Sequence, residues 1–174
     1  MKLGTKAVIV LAGLALAACN NPDKYAGGAG GVVDPGGAYG DGGITQGGIN
    51  DPNSPAYFSQ TIGDKVLFAV DQSTLSPEAR TTLSGQAQWL SQHPQYAAII
   101  EGHADEQGTR EYNLALGARR ANSVQEYLIS QGVAGSRLRT VSYGKERPLE
   151  VCSTEDCYAK NRRAVTVISL GAGS

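Results

Sequence analysis

One stretch near the middle of the chain, residues 96–131, constrains the fold most. It begins with the apolar run Tyr96–Ile100, continues through a polar loop that contains Gly102 and Gly108, and ends in a long helical pattern before Gly132. The pattern predicts a buried strand, a loop and a helix with a glycine at its C-terminal end. Charged groups crowd the junction between strand and helix, so this junction is the first candidate for a binding site.

Spacing within this stretch relates an acidic loop residue to one face of the helix that follows. Asp105 lies in the loop, and Asn113, Gly117 and Arg120 follow at steps of four and three, which places these three on one helical face. Arg119 should be solvated. A carboxylate and a guanidinium that face one concavity suit a zwitterionic ligand, with the ammonium on Asp105 and the carboxylate on Arg120. Spacing alone leaves two alternatives open: a structural ion pair between Asp105 and Arg120, or Asp105 as a helix cap.

The surrounding pattern predicts one domain over residues 61–174 with element order β-α-β-α-β-(α)-β. The predicted strands are Lys65–Val70, Tyr96–Gly102, Leu138–Tyr143 and Ala164–Leu170, and the predicted helices run from Ser76-Pro77 to His93-Pro94, up to Gln131-Gly132, and over Glu155–Lys160. This order indicates an α/β (α+β) sandwich, with helices packed on a mixed four-stranded sheet. About 110 residues are enough for one independent core.

The first 18 residues are predicted to be a removed signal peptide. Lys2 and Lys6 precede the apolar run Ala7–Ala15, and the small-residue sequence Leu16-Ala17-Ala18 ends directly before Cys19. The LAAC sequence is similar to the bacterial lipobox, which implies a lipid on the Cys19 sulfur and an anchored mature N-terminus. A plain signal peptide that happens to end at a cysteine is the alternative. By the same resemblance, Asn20 favours the outer membrane.

Residues 19–60 are predicted to form a lipid-anchored flexible tether. Eleven of the 23 glycines lie between Gly27 and Gly48, and few large apolar residues accompany them. Such a segment cannot bury enough apolar surface to offset the entropy that ordering would cost.

Charge and composition indicate neither a nucleic-acid partner nor a cofactor. The formal net charge of −1 lacks the basic excess that phosphate contacts require. His103, Asp105 and Glu106 are close enough to suggest a metal site, but the only other histidine, His93, precedes Pro94 at a helix end. We therefore expect His103 to orient the loop through hydrogen bonds. The chain has no nucleophile elbow, P-loop or dinucleotide fingerprint, and no enzymatic activity is predicted.

The two remaining cysteines, Cys152 and Cys157, flank four residues. A disulfide is the expected state in a periplasmic protein, and closing so short a loop stabilises by about 2 kcal/mol. A redox-active pair is the alternative.

Three blocks in this order carry a resemblance to a known family. The segment GHADEQGTREYNLALGARRAN resembles the core motif of OmpA-like peptidoglycan-binding domains, and VSYGKERP and NRRAV extend the similarity to the peptidoglycan-associated lipoproteins of that family. The resemblance covers about Lys65 to Leu170. It implies that Asp105 and Arg120 grip the diaminopimelate residue of the peptidoglycan stem peptide. The other positions that it implies for the same pocket are Asn113, Leu116, Phe68 and Asp71.

Two positions depart from the family pattern. Ala69 stands where many of these lipoproteins carry an aspartate, and Gln107 stands where an arginine is common. Each departure removes a charge near the implied site, which affects affinity or the preferred stem-peptide form.

The function that the resemblance implies is noncovalent attachment of the outer membrane to peptidoglycan. It further implies membership of the Tol-Pal system, with TolB as a partner and possibly TolA or other outer-membrane proteins. A lipoprotein of the same kind without Tol partners is the alternative. A peptidoglycan hydrolase that uses Asp105 and Glu106 as paired carboxylates is the competing class, but neighbours in one loop are poorly placed for opposed acid and base roles.

Overall fold

The structure, a computed structural model, describes residues 48–171. The predicted signal peptide, the lipidation site Cys19 and most of the predicted tether lie outside the described residues. Within them, no helix is long and apolar enough to cross a membrane.

Four helices and four strands make up the described domain. In chain order these are α1 (Pro55–Tyr57), a π-helical turn (Phe58–Gly63), β1 (Lys65–Leu67), α2 (Pro77–Gln92), β2 (Tyr96–His103), α3 (Arg110–Ser130), a 3-10 turn (Gly135–Arg137), β3 (Leu138–Gly144), α4 (Glu155–Asn161) and β4 (Arg163–Leu170). Local signals explain the two long helices. The Ser76 side chain caps α2 ahead of Pro77, and Gly132 follows α3 with a positive φ of 95°.

The strands form one mixed sheet in the order β1–β4–β2–β3. The central strand β2 pairs in parallel with β3, whereas β4 runs antiparallel to both β1 and β2. The predicted fold of helices on a mixed four-stranded sheet is therefore confirmed. Since β2 leads through a short loop into α3, the end of β2 lies beside the start of that helix.

Alternate residues of β2 face the helices and form the core with them. Phe58, Leu83, Leu90, Ile100 and Leu128 are each at most 1% exposed. The apolar face of α2 is buried throughout and consists of Ala79, Leu83, Ala87 and Leu90.

Two predicted boundaries differ from the structure by more than a single residue. The domain begins before residue 61, since α1 precedes that position and the Phe58 ring lies in the core. Strand β1 ends at Leu67 rather than Val70. The Phe68 N–H donates to the Arg162 carbonyl, and the chain then turns through Asp71, whose φ is +57°. The segment after Leu67 therefore leaves the sheet and forms one wall of the pocket described below.

Glycines allow α3 to approach the end of β2 very closely. A Cβ placed on Gly102 would lie 1.8 Å from the carbonyl oxygen of Gly117, and one on Gly117 would lie 2.4 Å from the Ser142 hydroxyl. Only glycines fit at this contact. The first half of α3 is thereby fixed against β2 and β3.

The predicted disulfide joins the segment before α4 to the first turn of that helix. Cys152 and Cys157 are bonded, which confirms the pairing. The bond encloses the start of α4, including Glu155.

Candidate ligand-binding pocket

A pocket of about 290 Å³ lies where β1, β2 and α3 present their loops. Its walls come from the turn after β1, the loop between β2 and α3, and the first turns of α3. The lining residues are Val70, Asp71, Asp105, Gln107, Gly108, Tyr112, Asn113 and Leu116.

Asp105 is largely buried in the pocket wall and already has a charged partner. Its Oδ2 accepts a hydrogen bond from Arg162 Nη1 at 3.2 Å, and its Oδ1 accepts one from the Gln107 N–H at 3.2 Å. The structure therefore gives Asp105 an ion pair with Arg162, and the alternative of a structural pair with Arg120 is wrong. The N-cap of α3 is Thr109, whose hydroxyl accepts from the Tyr112 N–H.

Arg120 lies behind the pocket and is 0% exposed. Its Nε donates to the Gln72 carbonyl at 2.8 Å, Nη1 to the His103 carbonyl at 2.8 Å, and Nη2 to the Ala69 carbonyl at 3.2 Å. Its guanidinium lies 5.2 Å from the centroid of the Phe68 ring. Burial lowers the pKa of Arg120 to about 10, opposed by the neighbouring Asp105 and Asp71 carboxylates, so the side chain stays charged at neutral pH.

The exposed carboxylate of Asp71 faces Tyr112 across the pocket. The Tyr112 hydroxyl donates a hydrogen bond to Asp71 Oδ1, and this bond raises the pKa of Tyr112 because the tyrosinate would face a carboxylate. Asp71 has positive φ, a conformation that aspartate tolerates better than most residues. Tyr112 was not among the site residues predicted from the sequence. Its place in the first turn of α3, next to Asn113, was the available signal.

The loop between β2 and α3 is held from three directions. The Asn113 side chain donates to the Gln107 carbonyl at 2.8 Å, and Lys145 Nζ donates to the Gly108 carbonyl at 2.8 Å. The Ala104 N–H donates to the Gly144 carbonyl at 2.8 Å. Asn113, which is 1% exposed, thus fixes the loop as well as lining the pocket.

The structure brings four of the six predicted site residues to this pocket: Asp71, Asp105, Asn113 and Leu116. Phe68 and Arg120 form the buried layer behind them. Arg119 is exposed, as its helical position predicted. Of the two departures from the family pattern, Gln107 lines the pocket, and the Ala69 carbonyl accepts a hydrogen bond from Arg120.

His103 does not orient the loop through its side chain, as the sequence had suggested. It is 2% exposed, and neither ring nitrogen has a hydrogen-bond partner among the described residues. The ring packs on Tyr143, with 5.6 Å between centroids. Burial, with the nearby Arg163 and Arg147 charges, lowers the pKa of His103 to about 4. Residues 48–171 contain no cluster of three or more side chains suited to a metal ion.

Comparison with known proteins places the chain in a family. The model of the OmpA family matches residues 67–162. A peptidoglycan-associated lipoprotein of Mesorhizobium japonicum is 56% identical over 132 residues, which cover 76% of this chain and 78% of that protein. The chain belongs to the OmpA family, among its peptidoglycan-associated lipoproteins. This confirms the resemblance seen in the sequence.

Two further relatives agree with this membership. The peptidoglycan-associated lipoprotein of Agrobacterium fabrum is 48% identical over 160 residues, covering 92% of this chain and 84% of that protein. The crystal structure of the peptidoglycan-associated lipoprotein from Burkholderia pseudomallei superposes with a TM-score of 0.62 at 40% identity, covering 70% of this chain and 98% of that one. The Agrobacterium protein therefore shares much of its sequence with this chain, and the Burkholderia protein shares both sequence and fold.

Proposed function

We propose that this domain binds peptidoglycan noncovalently by holding the diaminopimelate residue of a stem peptide in the 290 Å³ pocket. One observation carries the proposal. Four residues that the family resemblance assigned to a ligand, from segments as far apart as Asp71 and Leu116, line a single pocket.

The charges at the pocket suit a zwitterionic amino-acid centre. The Asp71 and Asp105 carboxylates offer acceptors for an ammonium group, and Leu116 offers apolar contact to a methylene chain. Arg120 supplies positive charge behind this wall. Its longest hydrogen bond, at 3.2 Å to the Ala69 carbonyl, is the one that we propose a ligand carboxylate replaces.

Cosedimentation with purified sacculi tests the binding. We expect the domain to pellet with diaminopimelate-containing sacculi and to bind lysine-containing peptidoglycan at least about tenfold more weakly, since the second carboxylate is missing. Asp71→Asn should weaken binding by about tenfold or more. Glu126→Gln is the matched control, because it makes the same change of charge at an exposed position far along α3. Equal affinity for both peptidoglycans would overturn the proposal.

The same experiment separates binding from hydrolysis. The Asp105 carboxylate accepts hydrogen bonds from Arg162 and from the Gln107 N–H, an arrangement that favours a fixed ligand contact over proton transfer. We expect sacculi to sediment with the domain and to release no fragments. Soluble muropeptides in the supernatant would support a hydrolase that uses Asp105 and Glu106.

We further propose that a lipid on Cys19 anchors the chain in the outer membrane, with the domain facing the periplasm. A flexible tether would keep the domain at high local concentration near cell-wall sites, so that modest affinity gives firm attachment. Labelling with a radioactive fatty acid should mark the wild-type protein and leave Cys19→Ser unlabelled. Label on the variant would exclude this anchor.

We propose TolB as the protein partner, because the family resemblance implies membership of the Tol-Pal system. TolB would bind a surface that overlaps the pocket. Purified TolB and a soluble stem peptide should then compete for the domain. Simultaneous binding of both would place TolB elsewhere, and no binding of TolB would favour a lipoprotein without Tol partners.

A further inference from the structure

Arg162 connects three separate segments around the pocket, although it does not line the pocket itself. Its side chain is 5% exposed, and its Nη1 donates to Asp105 Oδ2 at 3.2 Å. Its Nη2 pairs with Glu155 Oε1 in α4, and its Nε donates to the Phe68 carbonyl at 3.2 Å. Its own carbonyl accepts from the Phe68 N–H at 2.8 Å. One residue thus fixes the start of the turn after β1 and the loop after β2.

We propose that Arg162 is the positioning residue that sets the Asp105 carboxylate for ligand binding, and that Glu155 in the disulfide-bounded start of α4 orients the Arg162 fork. The proposal rests on the proposed function, because it assigns a role in the same pocket. It adds a row of ion pairs beside the pocket, in which the positive Arg162 lies between the negative Asp105 and Glu155.

The geometry shows why Asp105 needs this partner. The hydrogen bonds that the described residues make to its carboxylate come from Arg162 and from the Gln107 N–H, one to each oxygen. Loss of Arg162 would leave Oδ2 without a donor and an almost buried charge without its ion-pair partner. The carboxylate could then turn away from the ligand ammonium. A planar guanidinium with three donor positions in use fixes an orientation that a lysine ammonium cannot.

The neighbouring Arg163 provides a matched comparison. It is also buried, at 7% exposure, but its guanidinium donates to the carbonyls of Asn161 and Arg147 and contacts no carboxylate within salt-bridge distance in the described residues. Two adjacent buried arginines therefore differ in whether they reach the pocket wall. A purely structural role predicts that both matter only for folding.

A double-mutant cycle on the full periplasmic domain distinguishes these roles. The probe is a diaminopimelate-containing stem peptide, with affinities corrected for the folded fraction measured by circular dichroism. We expect Arg162→Lys to weaken binding at least about tenfold, the effect of losing one hydrogen bond to a charged group. In an Asp105→Asn background the same change should have almost no further effect, because Arg162 acts through Asp105.

Glu155→Gln extends the test to a variant that will fold, since the Glu155 side chain is 64% exposed. We expect it to weaken binding about twofold to fivefold. Arg163→Lys should leave the affinity of the folded fraction unchanged. Equal losses from Arg162→Lys with and without Asp105→Asn, or an unchanged affinity in Arg162→Lys, would overturn the positioning role. If the wild-type domain itself fails to bind the peptide, the proposed function fails instead.

Discussion

The two halves of α3 bury the same helical face against different surroundings. In the first half the buried side chains include Asn113 and Arg120, which satisfy backbone carbonyls of the loops around the pocket. In the second half, Ala121, Val124 and Leu128 pack into the apolar core and are 0% exposed. Apolar burial depends on area and tolerates small movements, whereas hydrogen bonds to a buried guanidinium require fixed positions. The second half of α3 therefore stabilises the core, whereas the first half positions the loops around the pocket.

The largest expected effect is that of Arg120→Ala. It would leave the carbonyls of Gln72, His103 and Ala69 without this donor and would remove a buried positive charge beside Asp105. We expect a loss of about 3–5 kcal/mol in the free energy of unfolding, measured by urea denaturation.

Arg119→Ala is the matched control for that variant. Arg119 is exposed and lies over the Tyr112 ring at 5.8 Å, so its removal should change stability by less than about 0.5 kcal/mol. Equal effects at both positions would contradict the assignment of the helical faces. A small loss for Arg120→Ala would show that the three carbonyls find other donors, and its binding could then be measured as a test of direct ligand contact.

Leu128→Ala tests the second half of α3. Leu128 is 0% exposed in the core, so the deletion should cost about 3 kcal/mol through lost burial and a residual cavity. The folded fraction should bind peptidoglycan with unchanged affinity, because Leu128 lies about four turns from Asn113 along α3. An affinity loss that persists after correction for unfolded protein would show that the two halves are coupled.

A pH titration of stability tests the buried ring of His103 at the end of β2. Its pKa is about 4 when folded, as against about 6.5 in an unfolded chain, so the unfolded state binds more protons between these values. The stability that the neutral His103 ring contributes is fully present above pH 6.5 and is lost as the pH falls towards 4. The free energy of unfolding should fall by at most about 3 kcal/mol over this range. The charged or titratable groups near the ring are Glu101, Tyr143, Arg147 and Arg163.

His103→Phe should flatten the stability profile between pH 6.5 and 4, because a phenyl ring can pack against Tyr143 without binding a proton. It should also retain or raise stability at pH 7, since it removes two buried nitrogens that have no hydrogen-bond partner among the described residues. An unchanged slope would assign the acid sensitivity to carboxylates elsewhere in the domain.

The sequence predicted the parts of this molecule that depend on local signals. The Ser76 cap, the glycine after α3 and the apolar spacing define α2 and α3 without knowledge of the sheet. Periodicity also placed Arg120 on the face of α3 that carries Asn113. It could not show that backbone carbonyls from segments distant in sequence accept hydrogen bonds from Arg120. Arg162 was missed for the same reason, because it reaches Asp105 across 57 residues of chain. The early end of β1 depends on another such contact, between Phe68 and Arg162.

The smallest expected effects come from the N-caps of the two long helices. Ser76 and Thr109 both accept a hydrogen bond from a backbone N–H in the first turn, at 3.1 Å from Ala79 and 3.2 Å from Tyr112. Each alanine substitution should therefore cost about 1 kcal/mol of stability.

The two N-caps differ in which residues lie in the first helical turn that each one holds. The first turn of α3 holds Tyr112 against Asp71 in the pocket, whereas that of α2 has no part in it. Thr109→Ala should accordingly weaken stem-peptide binding by about twofold to fivefold, and Ser76→Ala should leave it unchanged. Equal binding by the two variants would show that the pocket does not depend on how α3 begins.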